Sequence, residues 1–295
     1  MNKRNTLNLG LFVFILIVAA IAFFDDGDSE KNKKPAITKL KQTDVINITV
    51  RREGKQTIYL EKQHGQWNLI RPYNTPTNQF RMDTLLRLVE TIPQSSYPLK
   101  EKQKFGLNTP KLEVLFNHGH DNAVSISFGD SEPIKMRRYV AVNDTLHITN
   151  DTYFYALNSV ATDYINHKLL PEGFEISQLE LPDLKLQFEQ NNWKVTPQPE
   201  QFSMDDVNEF ISEWKNVQAI DIKPFNSKIK TSVKNTIKIF GENATTLTFY
   251  ILRDKDEFVL VDKLKGLQYS FPNEKQVQLI KWPEPKTEQE VSSEK

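Results

Sequence analysis

Trp67-Asn68-Leu69-Ile70, Pro72, Phe80 and then Leu85, Leu88, Val89 and Ile92 form an ordered stretch that the chain writes twice. The second writing runs Trp193, Pro197, Phe202, then Val207, Phe210, Ile211 and Trp214. A constant step of 122 residues carries Leu85 onto Val207 and Ile92 onto Trp214. Each quartet has the i, i+3, i+4, i+7 spacing of one apolar helix face. Self-similarity of this kind is the mark of a tandem duplication, so the fold is read as one unit used twice.

The residues around each copy read as short strands. Val45, Ile46, Ile48 and Val50 lead to a turn at Glu53-Gly54, then Thr57 to Leu60, a turn at His64-Gly65, and Trp67 to Ile70. β-rich runs divided by glycine turns are a meander of hairpins. Pro72 and Pro76 break the sheet before the first helix, and Pro93 ends that helix. Four further strands are expected at Leu112–Phe116, Val124–Phe128, Arg138–Val142 and Leu146–Thr149, then a helix from about Thr152 to His167. The second copy repeats the plan, with strands at Ile176–Leu181, Leu184–Glu189, Trp193–Val195, Thr236–Phe240, Thr245–Leu252, Glu257–Val261 and Gln268–Phe271. Ser203 and Asp206 have the spacing of a capping box before its helix.

Residues 7–24 (LNLGLFVFILIVAAIAFF) carry no charge. As a helix they would reach roughly 27 Å, close to a ~30 Å hydrocarbon core. Lys3 and Arg4 precede them, and Asp25, Asp26, Asp28 and Glu30 follow. The positive-inside rule then keeps residues 1–6 cytoplasmic and exports the rest. A cleaved signal peptide is the competing reading, because Ala20-Ile21-Ala22 is a small-x-small site. The apolar run is longer than the usual h-region, which favours an uncleaved single-pass anchor in the inner membrane. Residues 25–36 read as a charged tether, 37–172 and 173–282 as the two repeats, and 283–295 as a charged, proline-bearing tail.

The 295 residues suffice for two cores. Lys plus Arg equals Asp plus Glu at 38 each, and a neutral balance argues against nucleic acid as a partner. There is no cysteine, which excludes disulfides, thiolate metal sites and cysteine nucleophiles. His118-Gly119-His120 with Asp121 comes nearest to a metal cluster, but Asn117 to Asn122 reads as a solvated turn, so neither metal nor cofactor is expected. No nucleophile elbow, P-loop or H-E-x-x-H string occurs, and no catalytic residue is nominated. Asp83 and Asp205 fall near the helix starts, where capping or dipole complementarity accounts for them. Trp67 and Trp193 are candidates for a ligand groove, though a core role against the helices is the stronger reading. Arg137 and Arg138 are candidates for contact with an acidic partner, against the plainer role of a solvated sheet edge.

Several landmarks of the stretch from Thr43 to Phe225 resemble a bacterial family known as domain of unknown function 4340. They are Asp44-Val45, Gly65-Gln66-Trp67-Asn68-Leu69, the Phe80 helix, Phe105-Gly106-Leu107-Asn108-Thr109-Pro110, and Asp163 to Leu170. The resemblance implies an envelope protein with one N-terminal helix, sometimes associated with ABC-type transport or gliding components. It implies no catalytic residues. The expectation is thus an α+β protein: a transmembrane helix, then two tandem, related domains of antiparallel sheet plus helix. Its expected function is a non-catalytic periplasmic module that binds other envelope proteins, with ABC-type transporter subunits among the candidates. The alternatives are an envelope hydrolase acting on cell-wall material and a small-ligand binder using the interdomain groove.

Overall fold

In the computed structural model, the described residues are 13–20, 34–133, 136–200, 203–230, 232–242, 244–253 and 256–283. Residues 13–20 are helical (α1), and the remainder of the expected 7–24 span lies outside the described residues. Among the described residues no helix is long and apolar enough to cross a membrane. Most of the tether and nearly all of the tail also lie outside them.

The first half runs β1 (Asn47–Arg52), β2 (Ile58–Gln63), β3 (Gln66–Arg71), β4 (Thr75–Pro76), α2 (Gln79–Leu88), β5 (Ser95–Pro98), β6 (Leu112–Phe116), β7 (Val124–Ser131), β8 (Arg137–Val142), β9 (Thr145–Asn150) and α3 (Thr152–Leu157). The second runs β10 (Ile176–Glu180), β11 (Lys185–Glu189), β12 (Asn192–Thr196), α4 (Met204–Asn216), β13 (Asp221–Pro224), β14 (Thr236–Gly241), β15 (Thr246–Arg253), β16 (Phe258–Asp262), β17 (Leu267–Phe271) and α5 (Glu274–Ile280). Both sheets are antiparallel throughout. Their strand orders are β4-β3-β2-β1-β6-β7-β8-β9-β5 and β12-β11-β10-β14-β15-β16-β17-β13. The second order is the first over again, with β4 as the one addition. The two sheets thus follow one strand order within an α+β fold. The passage from one sheet to the other falls between Asn150 and Ile176.

The helix caps correct the register of the repeat. Asn78 caps α2 by accepting from the Arg81 N–H, and Ser203 caps α4 by accepting from that of Asp206. From Asn78 to Ser203 is a step of 125 residues, not 122. It matches Met82 with Val207, Leu85 with Phe210, and Val89 with Trp214, all of them buried. Ile92, expected on this face, lies beyond the helix and is exposed. Three residues turn a helix by about 300°, so an apolar face slipped by three comes back nearly onto itself. Periodicity could not separate the two registers, whereas a cap hydrogen bond can. The caps also move the role assigned to Asp83, whose carboxylate accepts from the Gln79 side chain at 2.7 Å.

The helix expected over Thr152–His167 is another correction. α3 stops at Leu157, a short 3-10 turn covers Ala161–Tyr164, and His167 belongs to neither. Val160, in extended backbone, separates the two, and β-branched residues are poor helix formers. Tyr164 closes the corner by donating its hydroxyl to the Leu157 carbonyl at 2.8 Å. Burial pushes this phenol up to about 12 from an ordinary 10.0, against the pull of Arg52 and Arg81. The folded chain therefore keeps Tyr164 neutral where the unfolded chain ionises it. Its stabilisation is complete below about pH 10 and is lost as pH rises toward about 12. Denaturant melts of the parent and Tyr164→Phe should show the parent losing stability more steeply across that window. Parallel curves would mean that the ring is solvated.

Most buried apolar residues of both halves form one continuous cluster, from Ile37 through Leu85 and Phe116 to Phe210, Trp214 and Leu279, beside a small second cluster at Leu107, Ala141 and Leu146. Each fully buried Val, Leu, Ile or Phe stabilises the fold by ~1.5–3 kcal/mol. Just after the tether, Ile37 donates to the Thr91 carbonyl at 2.9 Å and the Thr38 hydroxyl to that of Val89 at 2.7 Å.

Candidate functional site

The site is built on the segment joining the two halves. On one side, Thr77 bridges Ile165, with Asn78 N–H donating to the Tyr164 carbonyl and Asn166 N–H to that of Pro76. On the other, Lys168 bridges Gln218, with Ala219 N–H donating to the His167 carbonyl and Leu169 N–H to that of Val217. Residues 165–169 thus act as a strap, paired on one side with the start of α2 and on the other with the end of α4. A backbone so paired leaves few polar groups unsatisfied where the halves meet.

Three cavities lie along this seam. One of about 710 Å³ holds Trp67, Phe80, Asn166 and His167. A second, of about 310 Å³, shares Asn78, Phe80 and His167 with the first and adds Arg81, Asp163 and Ile220. A third, of about 410 Å³, shares Asp163 and Asp221 with the second and reaches Arg52 and Tyr73. Phe80 is 67% exposed and Ile220 57%, although both are large and apolar. Asp163 pairs with Arg81 at 3.8 Å and Asp221 with Lys223 at 2.7 Å, and both carboxylates are partly exposed. Both are partly solvated ion pairs. Arg52 is buried at the far end, donating to the carbonyls of Ser159 and Gln56. Burial pulls it below the ordinary arginine range, which Tyr164 and Asp163 oppose.

The sequence candidates are dispersed. Trp67 is half-buried against the apolar cluster and also lines the largest seam cavity. Trp193 is likewise half-buried against the cluster, its ring 5.3 Å from Phe188. Arg137 faces Gln94 at 3.0 Å and pairs with Glu132. Arg138 is not at a solvated edge: β8 is an interior strand, and its side chain is buried with that of Asp151. It also donates to the Gly129 carbonyl at 2.5 Å and lies 3.6 Å from the Phe154 ring centroid. An arginine so engaged has little left to offer a partner. His118, His120 and Asp121 lie exposed in their turn, and among the described residues no group of three or more His, Cys, Asp or Glu could hold a metal. Phe80, His167 and Ile220 are the site residues that sequence reasoning did not nominate. Phe80 alone carried a signal, as an apolar residue outside its helix's buried face.

A cavity of about 750 Å³ lies apart from the seam, between residues 35–40 and the first sheet. It holds Ser96, whose hydroxyl is 2.8 Å from His147 Nδ1 across the β5–β9 pair. Burial pulls His147 below the ordinary histidine range. Among the described residues no carboxylate bonds to the ring, so the third group of a nucleophile triad is missing.

Fold and site together define an antiparallel α+β protein of two sheets with one strand order and a groove where they meet. The family model described as Domain of unknown function (DUF4340) matches residues 67–238. That is more than half of the chain, and the chain belongs to this family. No curated protein and no solved structure matches it.

Proposed function

We propose that the protein is a non-catalytic periplasmic module, anchored in the inner membrane through residues 7–24, that binds other envelope proteins at its seam. The observation that carries the reading is the pairing of Phe80 and Ile220. They come from different repeats, line one cavity, and leave large apolar surface in water. Exposed apolar surface beside a groove is the usual mark of a binding face. The partner presents an apolar ridge to these two side chains. The uncharged N-terminal run flanked by Lys3 and Arg4 supports the anchor and its orientation. The link to ABC-type transport rests on the family resemblance.

Photocrosslinkers placed at Phe80 and at Ile220 of the full-length protein in intact cells test this. Recovery of the same envelope protein from both positions is expected, with loss of that product in Phe80→Ser/Ile220→Ser and an unchanged melting temperature. If the double variant still yields the product, the seam is not the binding face. A second reading, a small ligand held in the groove, is favoured by the roughly 710 Å³ cavity at Trp67.

A further inference from the structure

Resting on the seam as the binding face, we infer that the Trp67 cavity holds a short oligosaccharide. Its volume of about 710 Å³ is in the range of small-ligand sites, ~300–1,000 Å³. Two aromatic side chains line it, Trp67 half-buried and Phe80 exposed. Aromatic faces suit the apolar C–H faces of pyranose rings. Around them stand the amides of Gln66, Asn78, Asn166 and Gln218. Asn78 and Asn166 use their oxygens on the N–H groups of Arg81 and Lys168, while their NH2 groups meet no protein acceptor among the described residues. Gln66 and Gln218 are exposed, with no side-chain hydrogen bond there. His167 Nδ1 lies 2.7 Å from the Ala219 carbonyl, which can only accept, so that nitrogen carries the proton. In the tautomer with its one proton on Nδ1, Nε2 can accept. Amide donors beside an imidazole acceptor match ligand hydroxyls, each of which can both donate and accept.

The cavity is less suited to an extended peptide. Such ligands commonly add a strand to an open sheet edge, but the outer edge of β3 is already paired with β4 through Leu69–Thr75 and Asn68–Pro76. The Trp67 carbonyl accepts from both the backbone and the hydroxyl of Thr77, at 3.1 and 2.9 Å. Pro76 has no N–H to offer the next strand. What is open is side-chain chemistry: rings and amides, with the exposed charges of Lys62, Lys168 and Glu172 at the rim.

Isothermal titration of the full-length protein in a detergent without sugar headgroups tests the inference. The probes are an N-acetylglucosamine tetramer and a glucose tetramer, with tryptophan emission read in parallel. Binding of either tetramer supports the inference, and the preferred one separates wall-type acetylated glycans from plain glucans. The double variant Gln66→Ala/Gln218→Ala should weaken binding about tenfold or more while melting like the parent. Phe80→Ala, which removes an exposed ring, should weaken it by a comparable factor. No heat and no emission change with either tetramer would overturn the inference, as would binding that survives both variants. If Phe80 and Ile220 crosslink an envelope protein while neither tetramer binds, the seam reading stands and the saccharide falls.

Discussion

Phe210→Asp is expected to leave no cooperative thermal transition at ordinary temperatures, and Leu88→Asp to do the same from the other repeat. Phe210 and Leu88 are almost fully buried in α4 and α2, within the continuous apolar cluster. Truncating a buried Phe or Leu costs ~2–5 kcal/mol in lost contacts and cavity. An unpaired carboxylate in the same place adds the cost of desolvating a charge, or of protonating it at neutral pH. The total rivals the ~5–15 kcal/mol that holds a typical domain folded. Ile92→Asp is the internal control. The 122-residue register makes Ile92 the partner of Trp214, whereas the caps place it outside the helix and exposed. Circular-dichroism melts should show Ile92→Asp unfolding within a few degrees of the parent. If it collapses like the other two, the 125-residue register is wrong.

The second large effect belongs to Arg138 and Asp151. The pair is buried and hydrogen-bonded, and the guanidinium is further held by the Gly129 carbonyl and the Phe154 ring. Removing one member leaves the other charged and unpaired in the interior, a loss of ~3–5 kcal/mol. Arg138→Met and Asp151→Leu should each lower stability by about that amount in urea titrations. The double replacement should recover most of it, because two well-packed apolar side chains carry no desolvation cost. Additive losses in the double variant would show that the two charges do not depend on each other.

These two sites mark where the sequence was readable. Half-buried strands such as β6 and β14 announce themselves by alternation, and the α4 face by its period. β5 and β13 did not. Ser95–Pro98 and Asp221–Pro224 are short edge strands closed by proline, and Ile222 is the one buried residue in the two. Both lie at the same place in their sheets, which strand order reveals and composition conceals. Arg138 read as surface because charge is ordinarily solvated; its partner Asp151 lies one strand away, at the end of β9. The groove was foreseen only as a space between repeats. His167 and Ile220 enter it through strap pairings between residues about fifty apart, and no local pattern encodes such a register.

Those strap pairings bear on the thermodynamics of recognition. A cleft between units on a loose linker must be ordered by its guest, and the affinity is reduced by that entropy. Here the spacing between the start of α2 and the end of α4 is set by peptide hydrogen bonds on both sides of residues 165–169. The seam is a mould rather than a jaw, already cast before anything enters it. What fits is then decided by the guest's own shape and by the groups it offers to the rings and amides of the seam.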